Sequence, residues 1–210
     1  SLSQQLDATV TQLHSSNYRN KTQLPAGDVL VVGSGNSGLQ IAEELLPSHV
    51  VTLAMGKPQP FLPQQFFGQS LFWWMERLRI SNVQAGSWLG RRLEKRDPVI
   101  GANLSSLKHK GLKLVSRVVA TNGKTVTFAD GKTLKPQSII WATGFRNDYA
   151  WLRLPVIDAR GKPLHKEGVT SVDGLYFLGL SWQRTRGSAL LGWVGRDAAF
   201  IAQRMFPLSV

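Results

Sequence analysis

The sequence predicts an α/β fold built on a parallel sheet, with helices on both faces and an antiparallel meander inserted. Three observations carry this expectation. Asp28-Val-Leu-Val-Val32 is a short, β-branched apolar run that ends in glycine, the pattern of a buried strand. Asn36 to Leu46 places Leu39, Ile41, Ala42, Leu45 and Leu46 on a helix-like apolar face, and Pro47 stops it. His49 to Ala54 is a second β-branched run, so strand, helix and strand follow one another within about 30 residues, the size of one parallel crossover.

The elements that follow are less uniform. From Pro58 to Arg96, Phe61, Phe66, Phe67, Phe72, Trp73, Trp74 and Trp88 alternate with Arg and Gly, and helices are expected over 69–80 and 87–95. This aromatic stretch reads either as ordinary packing or as a substrate wall or membrane-facing surface. From Leu112 the pattern turns to short segments, Leu112–Val119, Lys124–Phe128 and Lys132–Leu134, divided by Asn122-Gly123 and Asp130-Gly131. Both dipeptides accept the positive φ of tight hairpins, which predicts a meander. Ser138-Ile-Ile-Trp-Ala142 reads as a buried strand ending at Thr143-Gly144, and Leu175-Tyr-Phe-Leu178 as another ending at Gly179. Asn147 to Thr170, with its Pro and Gly residues, reads as a linker.

Composition narrows the function classes. The 210 residues hold no cysteine, which excludes thiol nucleophiles and Cys-ligated metals, and the four His show no zinc spacing. No stretch approaches the roughly 18 apolar residues of a membrane span, and no signal peptide is expected at Ser1–Leu13, so a cytoplasmic protein is expected. The net charge of +12, from 25 Lys and Arg against 13 Asp and Glu, favours an anionic partner. A dense run at Arg91, Arg92, Lys95 and Arg96 suggests a nucleic-acid or anionic-membrane binder as a third-ranked reading, but no nucleic-acid motif accompanies it.

The most informative segment is Gly33-Ser34-Gly35-Asn36-Ser37-Gly38, which fits G-x-G-x-x-G between a predicted strand and a predicted helix. In a Rossmann-like sheet the first glycine permits the tight turn, the second lets backbone approach a pyrophosphate, and the third lets helix and sheet pack closely. The helix N-terminus then presents unpaired N–H groups. The bland alternative is a glycine-rich loop that binds nothing. An acidic residue about 20 positions past the turn would select NAD. The chain instead runs Leu53-Ala54-Met55-Gly56-Lys57, so NADP(H) is favoured, with Lys57 either attracting a 2′-phosphate or merely solvated.

Four landmarks give the chain a family resemblance: His14-Ser-Ser-Asn-Tyr18-Arg19-Asn20, Val32-Gly-Ser-Gly-Asn-Ser-Gly38, Ala142-Thr143-Gly144-Phe145, and Gly174-Leu-Tyr-Phe-Leu-Gly179 leading into Trp182. From about His14 onward the chain resembles the flavin-containing monooxygenases and related class B flavoprotein monooxygenases. Their motif F-x-G-x-x-x-H-x-x-x-Y is kept at His14 and Tyr18, but Ala8 and Val10 stand where Phe and Gly would be. Gln137 stands near the place of the Asp that often precedes the Ala-Thr-Gly strand, and Met55-Gly56-Lys57 replaces the more usual Arg.

The resemblance implies a linker over 1–24, an NAD(P)-binding Rossmann domain over 25–144, and a carboxyl-terminal part of an FAD-binding domain over 145–210. It implies NADP(H) and FAD as cofactors and a small-molecule substrate that receives one oxygen atom from dioxygen. The glycine-rich turn that holds the ADP half of FAD in such proteins is not in this chain, so a second polypeptide supplying that half is a possible partner, and an NADP-binding or sensor protein without flavin is the alternative.

Thr143, Gly144 and Gly179 would contact cofactor. His14 and Tyr18 would line the cofactor cleft or pack as a linker, and Trp182 and Gln183 would face the flavin ring or belong to the core. Arg146 would orient the nicotinamide or form a surface ion pair. Asp197 is expected in the last helix, solvated or paired with Arg196, with no catalytic role.

Overall fold

A computed structural model describes residues 2–56, 60–95, 98–101 and 103–206. In chain order the strands are β1 (Thr11–His14), β2 (Asp28–Val32), β3 (Val50–Ala54), β4 (Phe61–Leu62), β5 (Gln65–Phe66), β6 (Gln69–Ser70), β7 (Val99–Ile100), β8 (Lys113–Val115), β9 (Val118–Asn122), β10 (Thr125–Phe128), β11 (Thr133–Leu134) and β12 (Ser138–Trp141). The helices are α1 (Asn36–Leu45), α2 (Leu71–Arg77), α3 (Trp88–Glu94), α4 (Leu104–His109) and α5 (Val194–Met205). The chain forms two compact units, one from Ser1–Gln64 with Pro98–Phe145, the other from Gln65–Asp97 with Arg146–Val210.

The first unit is the expected α/β body. Its five-stranded sheet has the order β1-β12-β2-β3-β8, and every neighbouring pair is parallel. Val29, Leu30 and Val31 are all fully buried, because both faces of β2 are covered and the strand therefore reads as a continuous apolar run. On one face Val29, Val31, Val51, Leu53 and Ile140 pack with Leu39, Ala42 and Leu45 of α1 and Leu107 of α4. On the other face, Leu30 and Ile139 meet Val118, Val126 and Phe128 of the meander, together with Leu2 and Leu6. The meander therefore closes the face where a second helix layer was expected.

The meander follows its turn residues. Gly123 and Gly131 take φ of +56° and +81°, and the strand order is β11-β10-β9. The run expected as one segment over 112–119 divides in two: β8 joins the parallel sheet and β9 the meander. Thr11–His14, within the stretch read as linker, pairs in parallel with β12 and forms the sheet edge.

The second unit is held by polar stitching. Ser70 and Ser87 cap α2 and α3, their hydroxyls accepting from the N–H of Trp73 and Gly90. Glu76 of α2 gathers Arg196 at 2.7 Å, Ser81 Oγ at 3.2 Å and the Trp193 indole N–H. Main-chain bonds from Ala85 to Arg184, Arg186 to Val83 and Gly187 to Ser81 bind residues 81–85 to residues 184–187. The expected strand at Leu175–Leu178 does not form. Only an isolated bridge joins Tyr176 to Val169, the Phe177 N–H reaches Gly168, and the Phe177 carbonyl is taken by the Gln183 side chain, so no ladder has free partners. Among the described residues, no helix is long and apolar enough to cross a membrane.

Candidate nucleotide-binding site

Strand register brings the predicted residues of the first unit to one edge. His14 pairs with Trp141, Trp141 with Val32, and Val32 with Ala54, so the carboxyl ends of β1, β12, β2 and β3 lie in one row. The chain leaves β2 through α1 to β3 on one side, while β12 flanks β2 on the other. That is a topological switch point, where open α/β sheets form a ligand crevice outside the strand ends. The turn 33–38 stands at this point.

Each glycine of the turn has a distinct physical reason. Gly33 has φ +116°, and a β-carbon there would lie 2.2 Å from the Ala142 carbonyl oxygen, so only glycine lets the chain leave β2 beside the end of β12. At Gly38 a β-carbon would fall 2.0 Å from the Gly33 carbonyl oxygen, so the helix seats directly on the turn. Gly35 differs: its φ is −73°, and a β-carbon would meet nothing within 4 Å. The fold does not need glycine there. The position a β-carbon would take there faces open space.

The electrostatics agree with an anion. α1 begins at Asn36 with Gly35 as N-cap, without a side-chain cap and without an acidic residue in its first turn. Its first backbone N–H groups therefore point out of the helix with no intrahelical partner, at the positive end of the helix dipole. Asn36 does not use its side-chain oxygen on a ligand; Oδ1 accepts from the Ile100 N–H at 3.0 Å and ties α1 to β7. Ser34 is buried, and the Ser37 backbone belongs to the open first turn.

Other predicted residues divide sharply. His14, Trp141 and Thr143 line a cleft of about 400 Å³ with Leu2 and Ser3, and the His14 ring meets Phe145 edge-on at 5.5 Å. His14 Nδ1 accepts from the Ser16 N–H at 3.2 Å. Gly144 is exposed with φ +91° and open space at its β-carbon position. Tyr18 instead packs in the core cluster with α1. Burial raises its hydroxyl above the usual phenol range, and the Glu44 carboxylate beside it adds to the rise. Lys57 lies outside the described residues.

In the second unit Trp182 is buried with φ +56°, and the Arg186 guanidinium sits 5.5 Å from its ring. Gln183 is locked: Nε2 donates to the Phe177 carbonyl at 2.8 Å, and Oε1 accepts from the Leu180 N–H at 3.2 Å. Gly179 takes φ +82°, and Arg146 is exposed. Asp197 corrects its expectation. It is 2% exposed and pairs with Arg184 at 3.3 Å, while Arg196 turns to Glu76. The Arg184 guanidinium lies 3.8 Å from the centre of the Phe200 ring, and the Ser188 hydroxyl accepts from the N–H groups of Arg184 and Thr185. Local sequence carries no sign of this Arg184 cluster, nor of Trp141 in the cleft, because each depends on pairing between distant segments.

No family model matches the chain. It is 48% identical over 93% of its length to an uncharacterized CzcO-like oxidoreductase of Geobacillus kaustophilus, covering 57% of that protein. It is 27% identical over 89% of its length to an indole-3-pyruvate monooxygenase, YUCCA8, of Oryza sativa, covering 52% of it. Among solved structures, a mutant of the flavin monooxygenase from Stenotrophomonas maltophilia superimposes with a TM-score of 0.69 at 21% identity, over 96% of this chain and 57% of that one. The chain thus spans somewhat over half the length of the curated relatives it matches. The chain is thus similar in sequence to a CzcO-like oxidoreductase and, at lower identity, to an indole-3-pyruvate monooxygenase, and it shares the fold of a flavin monooxygenase.

Proposed function

We propose that the chain is the nicotinamide-binding and carboxyl-terminal portion of an NADPH-dependent flavoprotein monooxygenase acting on a small molecule in the cytoplasm. The observation that carries this reading is Gly35, a glycine the fold does not require, facing open space at the uncapped start of α1. The residues present fit a dinucleotide. Gly33 to Gly38 would hold the pyrophosphate by backbone N–H groups. Met55-Gly56 after β3 puts no carboxylate against a 2′-phosphate, and Lys57 supplies a cation in sequence.

Bound nicotinamide would supply hydride, and bound flavin would supply the redox chemistry with dioxygen. The protein's own work is binding, orientation and exclusion of water. His14 and Thr143 line the cleft beside the strand ends, Phe145 covers the His14 ring, and the exposed Arg146 follows as the cation closest in sequence to that edge. Trp182 and Gln183, the latter with its side chain held by the Phe177 carbonyl and the Leu180 N–H, would present a rigid wall to the flavin. A polypeptide region carrying the ADP-half site for FAD would complete the enzyme.

The test is spectroscopic. Protein joined to a region carrying the ADP-half site, mixed with FAD and freed of unbound flavin, should keep the visible flavin absorption, and NADPH added without air should bleach it. Saturable NADPH binding with no retained flavin would replace this reading with that of a nucleotide-binding protein lacking flavin chemistry.

A further inference from the structure

α3 carries a basic face that the nucleotide site does not use. Trp88, Arg91, Arg92 and Lys95 stand at i, i+3, i+4 and i+7, the spacing that gathers side chains on one side of a helix. They line one shallow concavity of about 410 Å³. The helix is fixed from its other side. A β-carbon at Gly90 would lie 2.1 Å from the Gln84 carbonyl oxygen, so the backbone is pressed against residues 84–85 there, and Ser87 caps the first turn. Trp88 is 73% exposed and Leu89 44%, and the Arg92 guanidinium lies 5.7 Å from the Trp88 ring. Among the described residues no carboxylate forms an ion pair with Arg91, Arg92 or Lys95.

Three cations around an exposed indole need an anionic, extended partner that also accepts apolar side chains. We propose that this face of α3 docks on the surface of an anionic phospholipid bilayer. The cations would sit over headgroup phosphates, with Trp88 and Leu89 at the headgroup–acyl boundary where amphipathic groups are favoured. Charge and apolar content choose this occupant over the others. A second copy would oppose cations to cations. Nucleic acid would match the charges and stack on Trp88, yet would leave Leu89 uncovered, and the same unit also exposes Phe67 at 94% and Leu78 at 61%. Residues 65–95 hold five cations, Arg77, Arg79, Arg91, Arg92 and Lys95, against Glu76 and Glu94, so the whole segment favours an anionic surface.

The test is flotation of the full chain with vesicles of phosphatidylcholine alone and of phosphatidylcholine with phosphatidylglycerol. Binding should require phosphatidylglycerol and weaken as salt rises. The variant Arg91→Glu/Arg92→Glu/Lys95→Glu should lose at least on the order of a hundredfold in vesicle affinity, from roughly a fivefold loss per cation removed and further repulsion from each carboxylate added. Its circular dichroism and NADPH titration should match the parent. Trp88→Phe supplies a second readout, since brominated lipid should quench the parent's indole emission more than the variant's. The proposal is overturned by equal binding to both vesicle types, by unchanged binding of the triple variant, by equal quenching of the Trp88→Phe variant, or by duplex DNA competing as well as vesicles do. Self-association of the parent that the triple variant abolishes, with no vesicle binding, would also overturn it.

Discussion

A β-carbon added at Gly33 would lie 2.2 Å from the carbonyl oxygen of Ala142, so the nucleotide turn and the end of β12 share one close contact. Gly33→Ala must relieve that clash and also hold alanine at φ +116°. It should destabilise the protein by about 2 kcal/mol or more and lower the melting temperature by several degrees. Gly38→Ala, aimed at the Gly33 carbonyl oxygen at 2.0 Å, should behave alike. Thermal denaturation followed by circular dichroism reads both.

One side-chain hydrogen bond ties α1 to β7 beside the shared packing of Val99 with the α1 core face. Asn36→Ala leaves the Ile100 N–H without its 3.0 Å acceptor and should cost about 1 kcal/mol in urea denaturation, whereas Asn36→Asp, which keeps an acceptor oxygen, should recover most of it.

Asp197 and Arg184 form the most buried ion pair among the described residues, with side-chain exposures of 2% and 24%. Asp197→Ala would leave the Arg184 guanidinium with Glu167, at 3.6 Å, as its remaining carboxylate and should cost about 2 kcal/mol, with a clear coupling to Arg184→Ala in a double-mutant cycle. Strict additivity of the two variants would remove the pair from the account.

His165 is partly buried, and burial holds its imidazole below the usual value of 6.5. A base whose folded-state pKa is depressed binds protons more readily when unfolded. Its contribution to stability is therefore present above the unfolded value and is lost as pH falls through 6.5 toward the lower folded value. His165→Asn keeps an acceptor for the Gly168 N–H, which Nδ1 now accepts at 3.1 Å. The variant should flatten the melting-temperature profile between about pH 7 and pH 5, and proton NMR should show the parent's His165 titrating below the usual value of 6.5.

What local sequence encodes was legible, and what distant pairing encodes was not. The β2 run, the apolar face of α1, and the Asn122-Gly123 and Asp130-Gly131 turns each announce themselves within a few residues, because buried strands, amphipathic helices and positive-φ turns have local chemistry. The glycine turn was equally visible, with a separate role for each of its three glycines; in the structure Gly33 and Gly38 answer to packing while Gly35 faces open space. β1 escaped because Thr11–His14 owes its strand state to β12, which follows it by more than a hundred residues. Leu175–Leu178 misled for the opposite reason: a strand-like composition finds its carbonyl partner in a side chain, Gln183, so no ladder forms. Asp197 shows the same limit, since its partner Arg184 lies in a loop and not one turn away on the helix.

The account stands on the open space at Gly35. The most direct measurement is calorimetric titration of NADPH and NADH into the parent and into Gly35→Val. The parent should bind NADPH saturably and NADH more weakly, and the variant should lose at least about tenfold in NADPH affinity at an unchanged melting temperature, because its side chain blocks the pyrophosphate and nothing else. Flat traces for well-folded parent protein, or equal NADPH affinity in the variant, would contradict it.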